Sequence, residues 1–384
     1  MKNIRISILF ILALFFIGCT DDSLALLSTH DDNPQGDATD PASIWSYTMK
    51  EGHINLTRAF VHSDNIIFVM NFTEYCVVQA HNLETGELVW RTKDIGRCNP
   101  LFNNGCFLSD YILVLSDSRW TVGLDVRTGE ILWTDVTGGG NRDIIAIDGK
   151  VIKTRNSGGA SSVYEIDLFT GEKTHLFTRR QDENNNYNPD YLSPSKYTNS
   201  KGEEVYVFLS RSYRSQQKVA IEVYAFNLST RETEWQRFLG DGDYQSNAPK
   251  VYEGKVYFAS LSKFYCLDLS NGHTSWREKI NEFRGDNFLI SDNSIFLANG
   301  QVLNRANGKE IAMWDSDSYS NWVTENQNMI FGCDHNISMY DKNTGSSFKY
   351  GINFSWFGRP HPTKDMFYTS KGNTLFCLDI NRMK

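Results

Sequence analysis

A short motif that recurs along this chain of 384 residues limits the folds it can adopt. In its clearest form, from Gly123 to Trp133, an Asp follows an apolar residue, Thr-Gly comes three and four residues later, and a Trp comes eight residues later. Each copy predicts a β-hairpin, because Asp or Asn can bond its own backbone and Gly can take a positive φ in the turn. The copies, of which the fourth has Arg231 in place of Gly, begin at Asn82, Asp125, Asp167, Asn227, Asp268, Asn304, Asp341 and Asp379.

The spacing of the copies predicts the architecture. They lie 43, 42, 60, 41, 36, 37 and 38 residues apart, close to the length of one four-stranded propeller blade. A β-rich run precedes each copy, as at residues 205–208, and no long stretch has helical periodicity. The run from Ile44 to Thr48 is typical of the outer strand of a blade and has no hairpin before it, whereas the last hairpin begins at Asp379 near the end of the chain. We therefore predict an all-β, eight-bladed β-propeller of four-stranded antiparallel blades, closed by the N-terminal strand joining the last blade.

The N-terminal segment predicts export and anchoring. Residues 1–18 form a signal peptide with Lys2, Arg5 and an apolar run too short to span a bilayer. The local sequence from Phe16 to Cys19 resembles a bacterial lipobox, which implies cleavage before Cys19 and lipidation of its thiol. An ordinary secretory signal with an incidental Cys is the alternative.

An acidic tether is predicted to follow, over residues 19–43, and the single propeller domain over residues 44–384. The tether has six Asp and neither Lys nor Arg after Cys19, so it cannot bury enough apolar surface to order itself. Asp21 and Asp22 resemble the acidic export signal of surface lipoproteins, although plain solubility explains them equally well.

Charge and cysteine spacing exclude several classes. The net charge of -8 argues against a nucleic-acid partner, since such binding depends on positive charge. Cys266 and Cys377 occupy equivalent positions in blades five and eight, which indicates small core residues rather than a pair. Only Cys98 and Cys106 are near enough in sequence to suggest a disulfide, and the sequence leaves that pairing open.

The full repeat, an apolar residue followed by Asp-x-x-Thr-Gly-x-x-x-Trp, resembles that of the pyrroloquinoline-quinone-like (PQQ-like) propeller superfamily from Ile44 onward. With its lipoprotein leader, the chain is similar to the propeller lipoproteins of the outer-membrane β-barrel assembly machinery. That resemblance implies a non-enzymatic scaffold. Quinoprotein dehydrogenases of the superfamily carry a disulfide between adjacent cysteines and a calcium ion beside a catalytic Asp, but this chain has no Cys-Cys pair. We therefore expect no cofactor, PQQ included.

Catalytic chemistry has little support in the sequence. The repeated Asp and Asn residues are explained by their turns, and the eight histidines form no zinc-binding pair. His361 lies near an innermost strand, where a lone histidine is more often structural. We predict no catalytic, cofactor-binding or metal-binding residue.

Long segments concentrate on the face that carries the loops between the second and third strands and the crossings between blades, and loop length often marks function. In blades three and four these segments carry arginines and tyrosines, for which a solvated loop rim is the alternative reading. The candidate binding face comprises Arg155, Arg179, Arg180, Tyr187, Tyr191, Arg211, Tyr213 and Arg214. A second set recurs where innermost strands should begin, and would line the channel mouth if it points inward. This set comprises Arg58, Arg97, Arg142, Tyr244, Arg284, Trp322, Trp356 and Arg359.

The sequence thus predicts a lipid-anchored, monomeric binding or scaffold propeller at the outer membrane, on its periplasmic or surface side. Its expected partners are envelope proteins or a glycan, with the lipid as its only membrane contact. The rival is a PQQ-dependent or carbohydrate-active enzyme that uses the channel mouth.

Overall fold

A computed structural model describes residues 40–49, 55–71, 75–95, 106–116, 120–136, 141–147, 150–157, 160–180, 188–191, 194–214, 218–242, 248–281, 283, 288–314, 322–334, 336–351 and 358–384. The signal peptide and Cys19 lie outside these residues. The described chain forms eight antiparallel sheets arranged as an eight-bladed propeller, which confirms the predicted fold class.

The strands follow one another blade by blade, after a first strand β1 (Ser43–Thr48). Blade one contains β2 (Asn55–His62), β3 (Asn65–Asn71), β4 (Cys76–Asn82) and β5 (Leu88–Arg91). Blade two contains β6 (Cys106–Leu108), β7 (Ile112–Ser116), β8 (Thr121–Asp125) and β9 (Ile131–Asp135). Blade three contains β10 (Asn141–Ile147), β11 (Lys150–Ser157), β12 (Ala160–Asp167) and β13 (Lys173–Arg180). Blade four contains β14 (Asn188–Tyr191) and β15 (Ser195–Thr198), which both pair with β16 (Glu204–Arg214), then β17 (Lys218–Asn227) and β18 (Glu232–Gly242).

The second half repeats the plan with shorter strands. Blade five contains β19 (Lys250–Tyr252), β20 (Lys255–Ala259), β21 (Lys263–Asp268) and β22 (Thr274–Lys279). Blade six contains β23 (Phe288–Ile290), β24 (Ser294–Leu297), β25 (Gln301–Asn304) and β26 (Glu310–Met313). Blade seven contains β27 (Trp322–Glu325), β28 (Met329–Asp334), β29 (Asn336–Asp341) and β30 (Ser347–Tyr350). Blade eight contains β31 (Arg359–Pro360), β32 (Met366–Lys371) and β33 (Thr374–Asp379) with β1, and a short helix α1 (Ile380–Met383) ends the chain.

Middle strands such as β3 and β21 carry continuous apolar runs because neighbouring blades cover both faces. In β3, the run from Ile66 to Met70 is buried at every position, and β21 is buried from Phe264 to Leu267. A strand buried on both faces reads as a continuous apolar run rather than an alternating one. The core therefore lies between blades.

The strand β1 closes the ring. It pairs with β33 from Ser43 opposite Leu378 to Thr48 opposite Thr374, which confirms the predicted closure. The packing begins earlier than predicted: Ala42 is fully buried and accepts the N–H of Asp379 at 2.8 Å, and the Tyr350 hydroxyl donates to Asp40. Residues 40–43 thus belong to blade eight, whereas the sequence analysis assigned them to the tether because the segment is acidic.

Tryptophans on outer strands join one blade to the next. Their Nε1–H groups donate to a hairpin carbonyl of the following blade at 2.6–3.1 Å: Trp45 to Leu83, Trp90 to Val126, Trp133 to Leu168, Trp235 to Leu269 and Trp276 to Arg305. Each ring lies on the hairpin glycine of that blade, where an added Cβ would come within 2.5–2.8 Å of the ring; the glycines are Gly86, Gly129, Gly171, Gly272 and Gly308. We call these five contacts the docked interfaces.

Two further features fit each indole into a docked interface. The residue opposite the Trp on the neighbouring strand is small: Cys377, Ala80, Gly123, Ala225 and Cys266, in the same order. A register shift beside it, as between Cys266 and Leu267, inserts one extra residue so that the Trp faces the next blade. Cys266 and Cys377 are free and buried, which confirms the predicted role as small core residues.

Candidate functional site

Among the strands that the structure describes, the longest lie in blade four. The strands β16 and β18 have eleven residues each and β17 has ten, whereas β24, β25 and β26 of blade six have four each. The far half of β16 pairs with β14, with Tyr213 opposite Asn188 and Arg211 opposite Asp190. The near half pairs with β15. The far halves therefore extend blade four beyond the usual length.

The strand β14 also contacts β11, β12 and β13 of blade three. Arg179 and Arg180 end β13 opposite Ser161 and Ala160, and Arg155 lies near the end of β11. Arg211, Tyr213 and Arg214 lie in the far half of β16, and Tyr191 ends β14. The backbone positions of seven residues of the candidate binding face thus come to one end of two adjacent blades, while Tyr187 lies outside the described residues. Their role in binding stays a prediction.

Of the eight residues predicted to line the channel mouth, four lie in the part of the chain that the structure describes. Arg58, Arg142 and Trp322 lie on the first strands β2, β10 and β27, and Arg359 begins β31 with an exposed side chain. The other four, which lie outside the described residues, are Arg97, Tyr244, Arg284 and Trp356. That these side chains line the mouth of the channel stays a prediction.

Two titratable groups on or beside first strands have shifted pKa values. Lys250 donates from Nζ to the Phe288 carbonyl and lies 5.0 Å from the centre of the Phe288 ring. Burial lowers the pKa of Lys250 to about 8, although the charge of Glu325 acts in the opposite direction. Burial, with the positive charge of Lys364, also lowers the pKa of His361. His361 accepts the backbone N–H groups of Thr363 and Lys364 at Nδ1, and its structural role stays a prediction.

Two hairpin aspartates that could otherwise hold the calcium ion of a quinone site are already engaged in their own turns. Asp167 accepts the N–H groups of Phe169 and Thr170 in its own hairpin, and Asp341 does the same for Asn343 and Thr344. Burial raises the pKa of the Cys266 thiol to about 11, so it is not a thiolate near neutral pH. Among the described residues, no three His, Cys, Asp or Glu side chains are grouped to hold a metal ion. These residues do not fit the cofactor, and its absence stays a prediction.

The structure contains a disulfide-bonded cysteine that the sequence did not predict. Cys76, at the start of β4, is disulfide-bonded, although the sequence suggested only Cys98 and Cys106 as candidates for a disulfide. Cys98 lies outside the described residues and Cys106 begins β6. No spacing signal marked Cys76, because disulfides join residues that are close in space rather than in sequence.

The hairpin end of blades three and four contains a site that the sequence analysis missed. In blade three, Thr174 lies opposite Glu165 and His175 opposite Tyr164, and the register shift falls two positions further from the hairpin, between Val163 and Tyr164. Thr174 therefore takes the position that Trp has at the docked interfaces. His175 is turned to the opposite face, since successive side chains alternate, and packs against Tyr164 with ring centres 5.4 Å apart.

A pocket of about 260 Å³ occupies this position. It is lined by Glu165, Thr174 and Leu176 of blade three and by Glu204, Phe226, Leu228, Ser229 and Arg231 of blade four. Arg231 holds the position of the hairpin glycine, with φ 59°. The sequence signal was the coincidence of two departures from the repeat, the lost Gly and the lost Trp, at one interface.

Comparison with known proteins gives the fold and the family. The structure is similar to the computationally designed Ika8 protein (TM-score 0.62, 12% identity, 87% of this chain and 98% of that chain). It is also similar to BamB from Moraxella catarrhalis (0.50, 16%, 71% and 79%) and to the quinohemoprotein alcohol dehydrogenase from Comamonas testosteroni (0.56, 11%, 88% and 76%). At these identities the likeness shows the fold alone.

Two further findings concern sequence matches and membrane helices. No curated protein sequence matches the chain significantly. Within the described ranges, no helix is long and apolar enough to cross a membrane. The PQQ_2 family model, described as "Outer membrane protein assembly factor BamB", matches residues 74–322, more than half of the 384 residues, and the chain therefore belongs to this family of PQQ-like propellers.

Proposed function

We propose that this chain is a non-enzymatic, lipid-anchored scaffold at the bacterial outer membrane that binds envelope proteins through the candidate binding face. The family description names an outer membrane assembly factor, which supports an envelope role. The observation that carries the proposal is the extension of blade four, because its strands β16, β17 and β18 bring the predicted arginines and tyrosines to the same end as those of blade three. Arginine and tyrosine are enriched at the energetic centres of protein interfaces.

The binding test removes four arginines from this end of the two blades. The variant with Arg179, Arg180, Arg211 and Arg214 replaced by Ala should keep its melting temperature within a few degrees, since surface changes usually cost little. It should lose most of the envelope protein that the wild type captures by crosslinking in native membranes. If a glycan rather than a protein is captured, the proposed partner class is wrong.

The matched control removes four positive charges at other places. Lys93, Lys201, Arg277 and Lys309 are exposed and make no ion pair within the described residues. Replacing these four by Ala changes the net charge equally, so capture should be unaffected. Equal loss in both variants would indicate a general charge effect and would overturn the proposed face.

The anchor and the enzymatic rival have separate tests. Replacing Cys19 with Ala should move the protein from the membrane fraction to the soluble fraction, and full retention after a high-salt wash would reject lipidation. Mixing the mature protein with calcium and PQQ should produce neither bound-quinone absorbance nor dye reduction with alcohols or sugars. Either signal would favour the dehydrogenase class.

A further inference from the structure

We propose that the pocket between blades three and four binds the indole side chain of a tryptophan presented by a partner protein. The site lies at the hairpin ends of these blades, whereas the candidate binding face lies at the opposite ends of their strands. Its test is therefore independent of the proposed function.

The docked interfaces of the same chain show which side chain the equivalent position binds. At the five docked interfaces, the equivalent position holds an indole whose Nε1–H donates to the carbonyl of the residue after the hairpin Asp or Asn. The corresponding carbonyl in blade four belongs to Leu228, which follows Asn227 and lines the pocket. Within the described residues no donor reaches this carbonyl. The acceptor is in place but the indole is not.

The volume of the pocket and its lining residues suit an indole. A cavity of about 150 Å³ holds benzene, so a pocket of about 260 Å³ has room for a two-ring side chain. Leu176, Phe226 and Leu228 supply apolar walls, and Thr174 is too short to fill the space. An aromatic ring would bury these walls, which a small hydrophilic ligand would not.

The side chain of Arg231 requires that the ring come from outside the chain. Arg231 has a Cβ where the docked interfaces have none, and an added Cβ at Gly272 would lie only 2.5 Å from Trp235. An indole fixed to β13 could not move away from that atom. A ring carried by another chain can lie about 1 Å further out, at van der Waals distance, with the Arg231 guanidinium free to cover its face. Arg231 makes no ion pair in the described structure that would prevent this.

The outer edge of β13 gives a partner segment a route to the pocket. The strand β13 is the last of its sheet, so no strand is hydrogen-bonded to its outer edge in the described structure. Thr174 and Leu176 belong to this strand and form one wall of the pocket. An extended segment of a partner can run along such an edge and place one side chain between the blades, as outer strands of this protein do at the docked interfaces.

The test is a titration of the full mature chain with N-acetyl-L-tryptophanamide, followed by ligand-observed NMR, with N-acetyl-L-leucinamide as the control. We expect saturable binding with a dissociation constant on the order of 1 mM for the isolated residue. The leucine compound should bind at least tenfold more weakly. Equal binding of the two compounds, or no saturation by the tryptophan compound, would overturn the proposal.

A variant that fills the pocket from within gives the matched control. Combining Glu165→Ala, Thr174→Trp and Arg231→Gly rebuilds the small residue, the indole and the glycine of the docked interfaces. Its melting temperature should rise and it should no longer bind the tryptophan compound. Undiminished binding would contradict the proposed site.

A labelling experiment on the wild-type chain keeps the test valid if that variant does not fold. A photoreactive tryptophan analogue should modify peptides containing Leu176, Phe226 or Leu228. Labelling confined to peptides elsewhere would overturn the proposal.

Discussion

Blades four and five meet through the indole of Trp235, whereas blades three and four meet around a pocket. At the first interface the ring lies on Gly272, is 7% exposed and donates to Leu269 at 2.8 Å. At the second, Thr174 and Arg231 replace the Trp and the Gly, and the register shift lies elsewhere in blade three. At the docked interfaces the Trp, the Gly, the small opposing residue and the extra residue occur together, whereas at the pocket none of the four is in its place.

The largest effect is expected where a docked interface depends on the closing strand. Deleting residues 20–39 should leave the fold intact, whereas deleting residues 20–49 removes β1 and with it Trp45, the indole that joins blades eight and one. The second truncation exposes the edge of β33 and should fail to unfold cooperatively on heating. Equal melting temperatures for the two truncations would show that closure contributes nothing.

Removal of one indole measures the docked interface directly. Trp235→Ala should lower the free energy of unfolding by about 3 to 5 kcal/mol, because it leaves a cavity and an unpaired carbonyl. Thr174→Ala, the matched change at the pocket, should cost less than about 0.5 kcal/mol because the side chain is exposed. Urea denaturation of both variants measures the two losses of unfolding free energy. Equal losses would contradict the proposed difference between the two interfaces.

Exchanging Arg and Gly between the two interfaces tests whether a docked interface requires its hairpin glycine. Gly272→Arg places a Cβ within 2.5 Å of Trp235 at φ +71° and should cost about 2 to 4 kcal/mol through overpacking and left-handed strain. Arg231→Gly should stabilise the fold by up to about 1 kcal/mol, since φ 59° suits Gly. A neutral Gly272→Arg would indicate that the indole can move aside.

The smallest expected effect concerns pH at the inner end of blades five and six. In the folded state burial lowers the pKa of Lys250 from its ordinary 10.5 to about 8, so above pH 8 the unfolded chain holds more protons at this site. Stability from this group therefore rises with pH between about 8 and 10.5. The melting temperature of the wild type should increase relative to Lys250→Met between pH 7 and pH 10. A constant difference would place Lys250 in contact with water.

The repeat predicted the hairpins, the blade count and the closing strand because each of these depends on local spacing. It did not predict the pocket, because counting eight residues from Asp167 reaches His175, while the actual register places Thr174 at the interface. A shift of one residue turns every following side chain to the other face, and a bulge leaves no mark in the spacing of the motif. The disulfide at Cys76 was missed because no cysteine spacing marks it, and the packing of Ala42 was missed because it depends on a contact distant in sequence.

The closing strand also links folding of the ring to synthesis of its last strand. The Thr48 and Thr374 hydroxyls lie 3.0 Å apart although 326 positions separate them in sequence. During synthesis β1 is the first strand of the propeller to emerge and β33 is the last. The strand β1 therefore remains unpaired while seven blades form. A chain that stops short of β33 keeps Trp45 and Tyr47 uncovered, and we expect proteases to recognise it by this exposed strand. Ring closure thus distinguishes a propeller with all eight blades from one that lacks its last strand.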